Sequence, residues 1–299
     1  MHYPRYLIPG MLLAAVALHA DDVWRPLFNG KDLTGWTMFM AAPPPETDVP
    51  GLKRDDKGNY LEPVGFNRDP LHVFNVKIVD GKPAIYVTGA GFGVITTDES
   101  FSNFHLRMQV KWGEKKWGYK LATHAALDAG LLYFSRGPAG IDHITWPRCL
   151  EFQIQEKDFG DLYALGMTEV SGNSRIVQDT LPNGRQAKTY FYDPKGTPIV
   201  FVARAPIGNR LRRTDDNELP HGEWNTLDLV CFGDTSIHIV NGKVVNRLFH
   251  AQMPDGKGGL VTLDSGQICL QTEGGEVYYR DIQIQPITEI PAEYAEKSN

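Results

Sequence analysis

The chain has 299 residues and a formal net charge of -6, long enough to bury a substantial core and without the basic footprint of a nucleic-acid-binding protein. Aromatic residues make up 11% of it, with 30 Gly and 20 Pro, a mix that suits a turn-rich β protein better than a helical one. Its three cysteines, Cys149, Cys231 and Cys269, each lie inside an apolar strand-like run. They read as buried free thiols and not as a disulfide framework.

Residues 1–20 read as a secretory signal. Arg5 supplies the positive end, Leu7 to Leu18 is uncharged, and Ala20 precedes the polar pair Asp21 and Asp22. The apolar run is shorter than the ~20 residues a bilayer span needs, so cleavage near Ala20 and a periplasmic or secreted protein are expected, with no membrane span. Residues 21–299 are expected to form a single domain.

A strand around Trp24, Leu27 and Phe28 reaches the turn Asn29-Gly30. Residues 40–69 carry five prolines in a polar, unpatterned run, expected to be a long surface insertion. Residues 71–79 and 82–88 form a predicted hairpin around Asp80-Gly81, and Gly93 to Thr97 a short strand. From Phe104 to Trp112 apolar residues at every second position predict a strand with Phe104, Leu106, Met108, Val110 and Trp112 inward. Gly130 to Phe134 predicts a central strand. Residues 165–222 read as rim hairpins and loops. Glu223 to Phe232, a hairpin around Asn241-Gly242, Gln267 to Gln271 and Glu276 to Ile284 complete the strands, and Ala292 to Lys297 could close on a helical turn. With no long helical period and no repeat of 20–50 residues, the pattern predicts an all-β sandwich of two antiparallel sheets.

The run Cys149 to Glu156 stands apart. Leu150, Phe152 and Ile154 occupy one side, while Glu151, Gln153 and Gln155 put a carboxylate and two amides on the other. Such a row of planar hydrogen-bonding groups suits a sugar-binding cleft.

Several motifs together resemble the 3-keto-disaccharide hydrolase family: LFNGKDLTGW (Leu27 to Trp36), AGLLYFSR (Ala129 to Arg136), EFQIQE (Glu151 to Glu156), the stretch from Glu223 to Val245, and GQICLQTEGGEVYYRDIQI (Gly266 to Ile284). Asp128 sits just before the position of the family's usual Asn-Ser-Gly turn, Glu156 stands in place of a usual Asp, and Glu273 in place of a common His. The resemblance implies a concanavalin/laminin-G-like jelly-roll acting on an oligosaccharide or glycoside whose C3 hydroxyl has been oxidised to a ketone. That ketone acidifies the C2 hydrogen, so a base can form an enolate that expels the C1 aglycone. The site would need a base, an acid for the leaving group, and a cation or divalent metal at the enolate oxygen.

Glu151 is read as base or metal ligand, and Gln153 as the group orienting substrate. Glu156 has the opposite parity and reaches the same face only if the strand bulges. Arg280 sits where the apolar parity of its strand switches, which predicts a bulge aiming its guanidinium at the cleft. Lys111 is expected beside it, so that Glu151, Gln153, Lys111 and Arg280 converge on one concave face. His143 is a further catalytic candidate, in a loop with Trp146, a sugar-stacking candidate together with Trp117. Tyr133, Asp128, His238, Gln271 and Glu273 complete the substrate-binding set, with His238 expected on the polar side of its strand. Spacing alone assigns no metal ligands, no certain cofactor and no oligomeric state. Two rivals stand beside this reading: a retaining glycosidase of the laminarinase type, which would pair Glu151 with Glu156, and a non-catalytic lectin-like glycan-binding protein.

Overall fold

Strands with one apolar side need a second layer to bury it. In the computed structural model, which describes residues 23–118, 125–140, 145–180, 184–204 and 206–296, they find it in two antiparallel sheets, and no helix occurs among the described residues. The expected signal segment and the His143 loop position lie outside the described residues.

The nine-stranded sheet runs Arg210–Leu211, Leu162–Leu165, Arg148–Gln153, Gly130–Arg136, Ser265–Glu273, Phe92–Thr97, Trp36–Met40, Gly65–Phe66, with Phe101–Ser102 pairing beside Ser265–Glu273. The main path of the twelve-stranded sheet is Gln186–Tyr192, Glu169–Thr180, Lys243–Pro254, Thr235–Val240, Asn225–Phe232, Phe104–Lys116, Gly275–Pro286, Lys82–Val87, Phe74–Val79. Hairpin neighbours alternate with strands far apart in sequence, such as Gly275–Pro286 beside Phe104–Lys116 and Ser265–Glu273 between Gly130–Arg136 and Phe92–Thr97, the all-β jelly-roll sandwich that the sequence predicts.

Parity holds where one side of a strand meets the core. Leu150, Phe152 and Ile154 from one sheet, and Phe104, Leu106, Met108, Val110 and Trp112 from the other, join one large apolar cluster. The hairpins turn where expected, with Asp80 and Asn241 in the left-handed region and Gly81 and Gly242 following them. Two regions differ from expectation. Glu169–Thr180 is a twelve-residue strand pairing with Gln186–Tyr192 and Thr197–Phe201, so much of 165–222 widens a sheet and is not rim loop. The 40–69 insertion returns to the sheet through Gly65–Phe66 on Trp36–Met40. The C-terminal segment does make a turn, with the amides of Tyr294 and Ala295 both donating to the Pro291 carbonyl.

Each sheet also covers part of its outer face. On the nine-stranded sheet Phe39, Val94, Leu132, Cys149 and Cys269 form a second apolar cluster, with Ala139 and Trp146 packed on it. On the twelve-stranded sheet Val230, Ile237 and Ile239 lie under Tyr294, Ile287 and Ile290. All three cysteines are buried and unpaired.

Candidate active site

Beside that second cluster the outer face of the nine-stranded sheet turns polar. Glu151 stands opposite Leu132, and Gln153 opposite Gly130. On the far side of the same strand Cys269 stands opposite Leu132. Continuing that register along Ser265–Glu273 places Gln271 beside Gly130 and Glu273 beside Asp128, because alternate residues share a face. Gln155 donates to Asp128 at 3.5 Å. Glu151, Gln153, Asp128, Gln271 and Glu273 therefore gather on three neighbouring strands, and all but Glu273 are buried.

Gly130 makes the convergence tight. A Cβ there would lie 2.1 Å from Glu151 Oε1 and 2.3 Å from Gln271 Oε1, so both side chains occupy space that any larger residue would fill. Gln271 is fully buried, close enough to hold down the Glu151 pKa somewhat, yet neither amide atom makes a hydrogen bond of good geometry with a described residue. Leaving such a group unpaired costs about 1–3 kcal/mol. Gln153 is partly committed, its Oε1 accepting from the amides of Ile154 and Gln155 at 2.9 and 3.2 Å where the strand leaves its ladder.

Burial pushes the Glu151 carboxyl well above the usual range, and the neighbouring charges of Glu273 and then Asp128 push the same way. Arg210 opposes them. It reaches the face through a cross-strand row, Glu151 opposite Tyr163 and Tyr163 opposite Arg210, and its guanidinium lies 5.2 Å from the Tyr163 ring centroid. Arg210 Nε and Nη2 donate to Asp161 Oδ2 at 2.8 and 2.6 Å, and Nη2 also pairs with Asp158 at 2.8 Å. Asp161 is completely buried and accepts from the Arg213 amide as well. Tyr163 is itself pushed up to about 12, chiefly by burial.

Other expected residues lie elsewhere. Lys111 and Arg280 belong to the twelve-stranded sheet and point away from its core. Lys111 pairs with Asp80 at 3.1 Å, while Arg280 takes Gln109 Oε1 at 2.8 Å and lies 3.8 Å from the Trp224 ring centroid. The bulge exists, with a register shift between Arg280 and Gln283 and Asp281 at positive φ, but it serves the outer surface of the other sheet. His238 and Tyr133 point into the core. Nδ1 of His238 donates to the Gly160 carbonyl at 3.0 Å, so Nε2 accepts from the Tyr133 hydroxyl at 2.9 Å, and Ser236 completes the chain at 2.8 Å. The ring stacks on Phe152 at 4.3 Å, and burial lowers its pKa to about 4. Ile237 and Ile239 misled the parity reading because the C-terminal segment buries them from outside.

Glu156 does not bulge back onto the face. The strand ends at Gln153, and Glu156 pairs with His221 Nδ1 at 3.0 Å while His221 Nε2 meets Glu114 at 3.2 Å, near the end of Phe104–Lys116 in the other sheet. Trp146 does join the face, packing on the Leu132 cluster with its ring 6.4 Å from that of Phe92. Arg210 and Tyr163 were missed by sequence reasoning. The signal was the basic run Arg210 to Arg213 matched by Asp158 and Asp161, which the fold brings together as a partly buried ion-pair network around the fully buried Asp161. Among the described residues no group of three or more His, Cys, Asp or Glu is placed to hold a metal ion.

A β-sandwich with a buried carboxylate and amides on an otherwise apolar sheet face has the form of a carbohydrate-active protein. The chain belongs to the 3-keto-disaccharide hydrolase family, whose profile, described as a 3-keto-alpha-glucoside-1,2-lyase-like domain, matches residues 23–285. No curated protein matches it. Among solved structures it is similar to a candidate glycosyl hydrolase from Parabacteroides distasonis, at 18% identity over 88% of this chain and 94% of that one, TM-score 0.48. It is also similar to a Bacteroides ovatus GH16 protein of a mixed-linkage glucan locus, at 12% identity over 88% and 98%, TM-score 0.39. A third is the carbohydrate-binding module CBM66 from Bacillus subtilis, at 8% identity over 71% and 91%, TM-score 0.37. No helix of the described residues is long and apolar enough to cross a membrane.

Proposed function

We propose that the chain is an exported enzyme that releases the aglycone from 3-keto-glycosides, with Glu151 as the base. The carboxylate takes the C2 proton, and the C–H electron pair forms the enolate at C3. The enolate collapses to a C1–C2 double bond as the C1–O bond breaks, and the aglycone oxygen leaves with a proton. Water then adds hydroxide to C1 and a proton to C2, completing net hydrolysis.

The observation that carries this reading is the meeting of Glu151 and Gln271 over Gly130. A buried carboxyl with a raised pKa is a stronger base, once ionised, than an exposed one. Among the described residues the Gln271 amide has no partner of good geometry, so a substrate oxygen can supply one. Arg210 adds positive charge on the same side of the sheet. Asp128 and Glu273 are the carboxyl groups nearest to serve the leaving oxygen. The retaining-glycosidase rival needs two carboxyls ~5 Å apart, and Glu156 is engaged with His221 instead. The lectin-like rival has no need of a carboxyl raised in this way.

Glu151→Gln tests the assignment. Aglycone release from a 3-keto-glucoside should fall by about 100-fold or more, with thermal stability close to wild type. A variant that folds and retains full rate removes Glu151 from the chemistry.

A further inference from the structure

Next to the Glu273 end of the face lies a cavity of about 670 Å³. Its walls are the Thr88–Phe92 connection, Trp117 and Gly118, Gly274, Leu71, and a loop from the 40–69 insertion. The link to Glu273 is direct. Gly274 follows Glu273 in the chain, and Phe92, which lines the cavity, is the cross-strand partner of Glu273. A substrate whose sugar lies over Glu151 and Gln271 would carry its C1 substituent towards this space when it leans to the Glu273 end.

The lining is poor in hydrogen-bonding side chains. Among the described residues that form it, Glu46, Thr47, Thr88 and Trp117 carry such groups, and the Thr88 hydroxyl already accepts from the Ala90 amide at 3.2 Å. The remainder is Pro, Ala, Gly, Leu and Phe, with Trp117 44% exposed. A second sugar would bring several hydroxyls for which the described lining offers few side-chain partners, and each one left unpaired is costly. A flat apolar ring loses little there and gains the Trp117 and Phe92 faces.

The insertion wall is held in shape by the chain's own hydrogen bonds. Arg54 donates to the Pro45 carbonyl at 2.6 Å and the Thr47 carbonyl at 2.7 Å, and its guanidinium lies 4.1 Å from the Tyr60 ring centroid. Tyr60 itself donates to the Thr47 carbonyl at 2.7 Å and accepts from the Val49 amide. The proline-rich run is therefore a preformed wall.

We infer that this cavity is the aglycone subsite and that it takes a flat, weakly polar aglycone, an aryl group in preference to a second sugar. The inference rests on the reading of Glu151 as the base of a 3-keto-glycoside site, and the test separates the two. The purified protein is given an aryl 3-keto-glucoside and a 3-keto-disaccharide, and calorimetry measures the binding of naphthol, with glucose as competitor. The expected result is a kcat/KM at least about tenfold higher for the aryl substrate, a ratio that shrinks in Trp117→Ala. Naphthol should bind the wild type, bind Trp117→Ala several-fold more weakly, and resist competition by glucose. A preference for the disaccharide, or naphthol that fails to bind or binds Trp117→Ala equally well, overturns the subsite. If neither ketone is cleaved, the reading of Glu151 fails, and the naphthol measurements alone decide the cavity.

Discussion

The Glu151 carboxylate and the Gln271 amide share the space above Gly130, their oxygens 2.1 and 2.3 Å from where a Cβ on that residue would sit. Two side chains from strands on either side of Gly130–Arg136 thus meet because the residue between them has none.

Gly130→Ala is therefore expected to act on the site more than on the fold. The backbone there is ordinary extended strand, and the displaced groups are the ends of flexible side chains. Catalytic efficiency should fall by about tenfold or more as the two groups part, while urea unfolding shifts by no more than about 1 kcal/mol. A variant with unchanged kinetics would show that the convergence is irrelevant to turnover.

Glu273 sets the pH range of the proposed base. Its charge raises the Glu151 pKa, second only to burial, and Glu151 must be ionised to accept a proton. Activity should thus rise with pH through the Glu151 pKa. Glu273→Gln removes the repulsion, lowers that pKa and moves the acidic limb of the kcat/KM profile to lower pH. A limb that stays in place, or moves upward, would disconnect the two carboxyls.

How much of this face was legible follows from what each signal depends on. Alternation found Glu151 and Gln153 because Leu150, Phe152 and Ile154 form the apolar side of that run and face the main core. The same rule misplaced His238, whose strand is covered on both sides, so its apolar neighbours pointed outward. It could not say which sheet the polar sides of Lys111 and Arg280 belong to, since strand pairing decides that and Phe104–Lys116 pairs with Asn225–Phe232 and Gly275–Pro286. Arg210 was out of reach because its partner Asp161 is distant in sequence and the pair forms only when Arg210–Leu211 docks on Leu162–Leu165.

Lys111→Ala and Arg280→Ala should accordingly leave kcat/KM within about twofold of wild type, at a cost of about 1 kcal/mol or less for the Arg280 contact with Trp224. Steady-state kinetics on the two variants checks this. A loss of about 100-fold in either would return the outer face of the twelve-stranded sheet to the site.

His238 predicts the acid limit of the fold. Its pKa falls from 6.5 to about 4 on folding, so the unfolded chain binds the extra proton first. The group costs nothing above pH 6.5 and removes stability progressively as pH drops towards 4, about 3 kcal/mol in all. Urea midpoints measured across that window should decline in the wild type and decline less steeply in His238→Gln, whatever the variant's absolute stability. Equal slopes would mean that the ring is not buried neutral.

The central claim is that a ketone at C3, by acidifying C2, is what makes the glycosidic bond cleavable at Glu151. Its most direct test is aglycone release from a 3-keto-glucoside and from the unoxidised parent glucoside under the same conditions. The account predicts rapid release from the ketone and none above background from the parent. Equal cleavage of both would contradict it and mark the protein as an ordinary glycosidase.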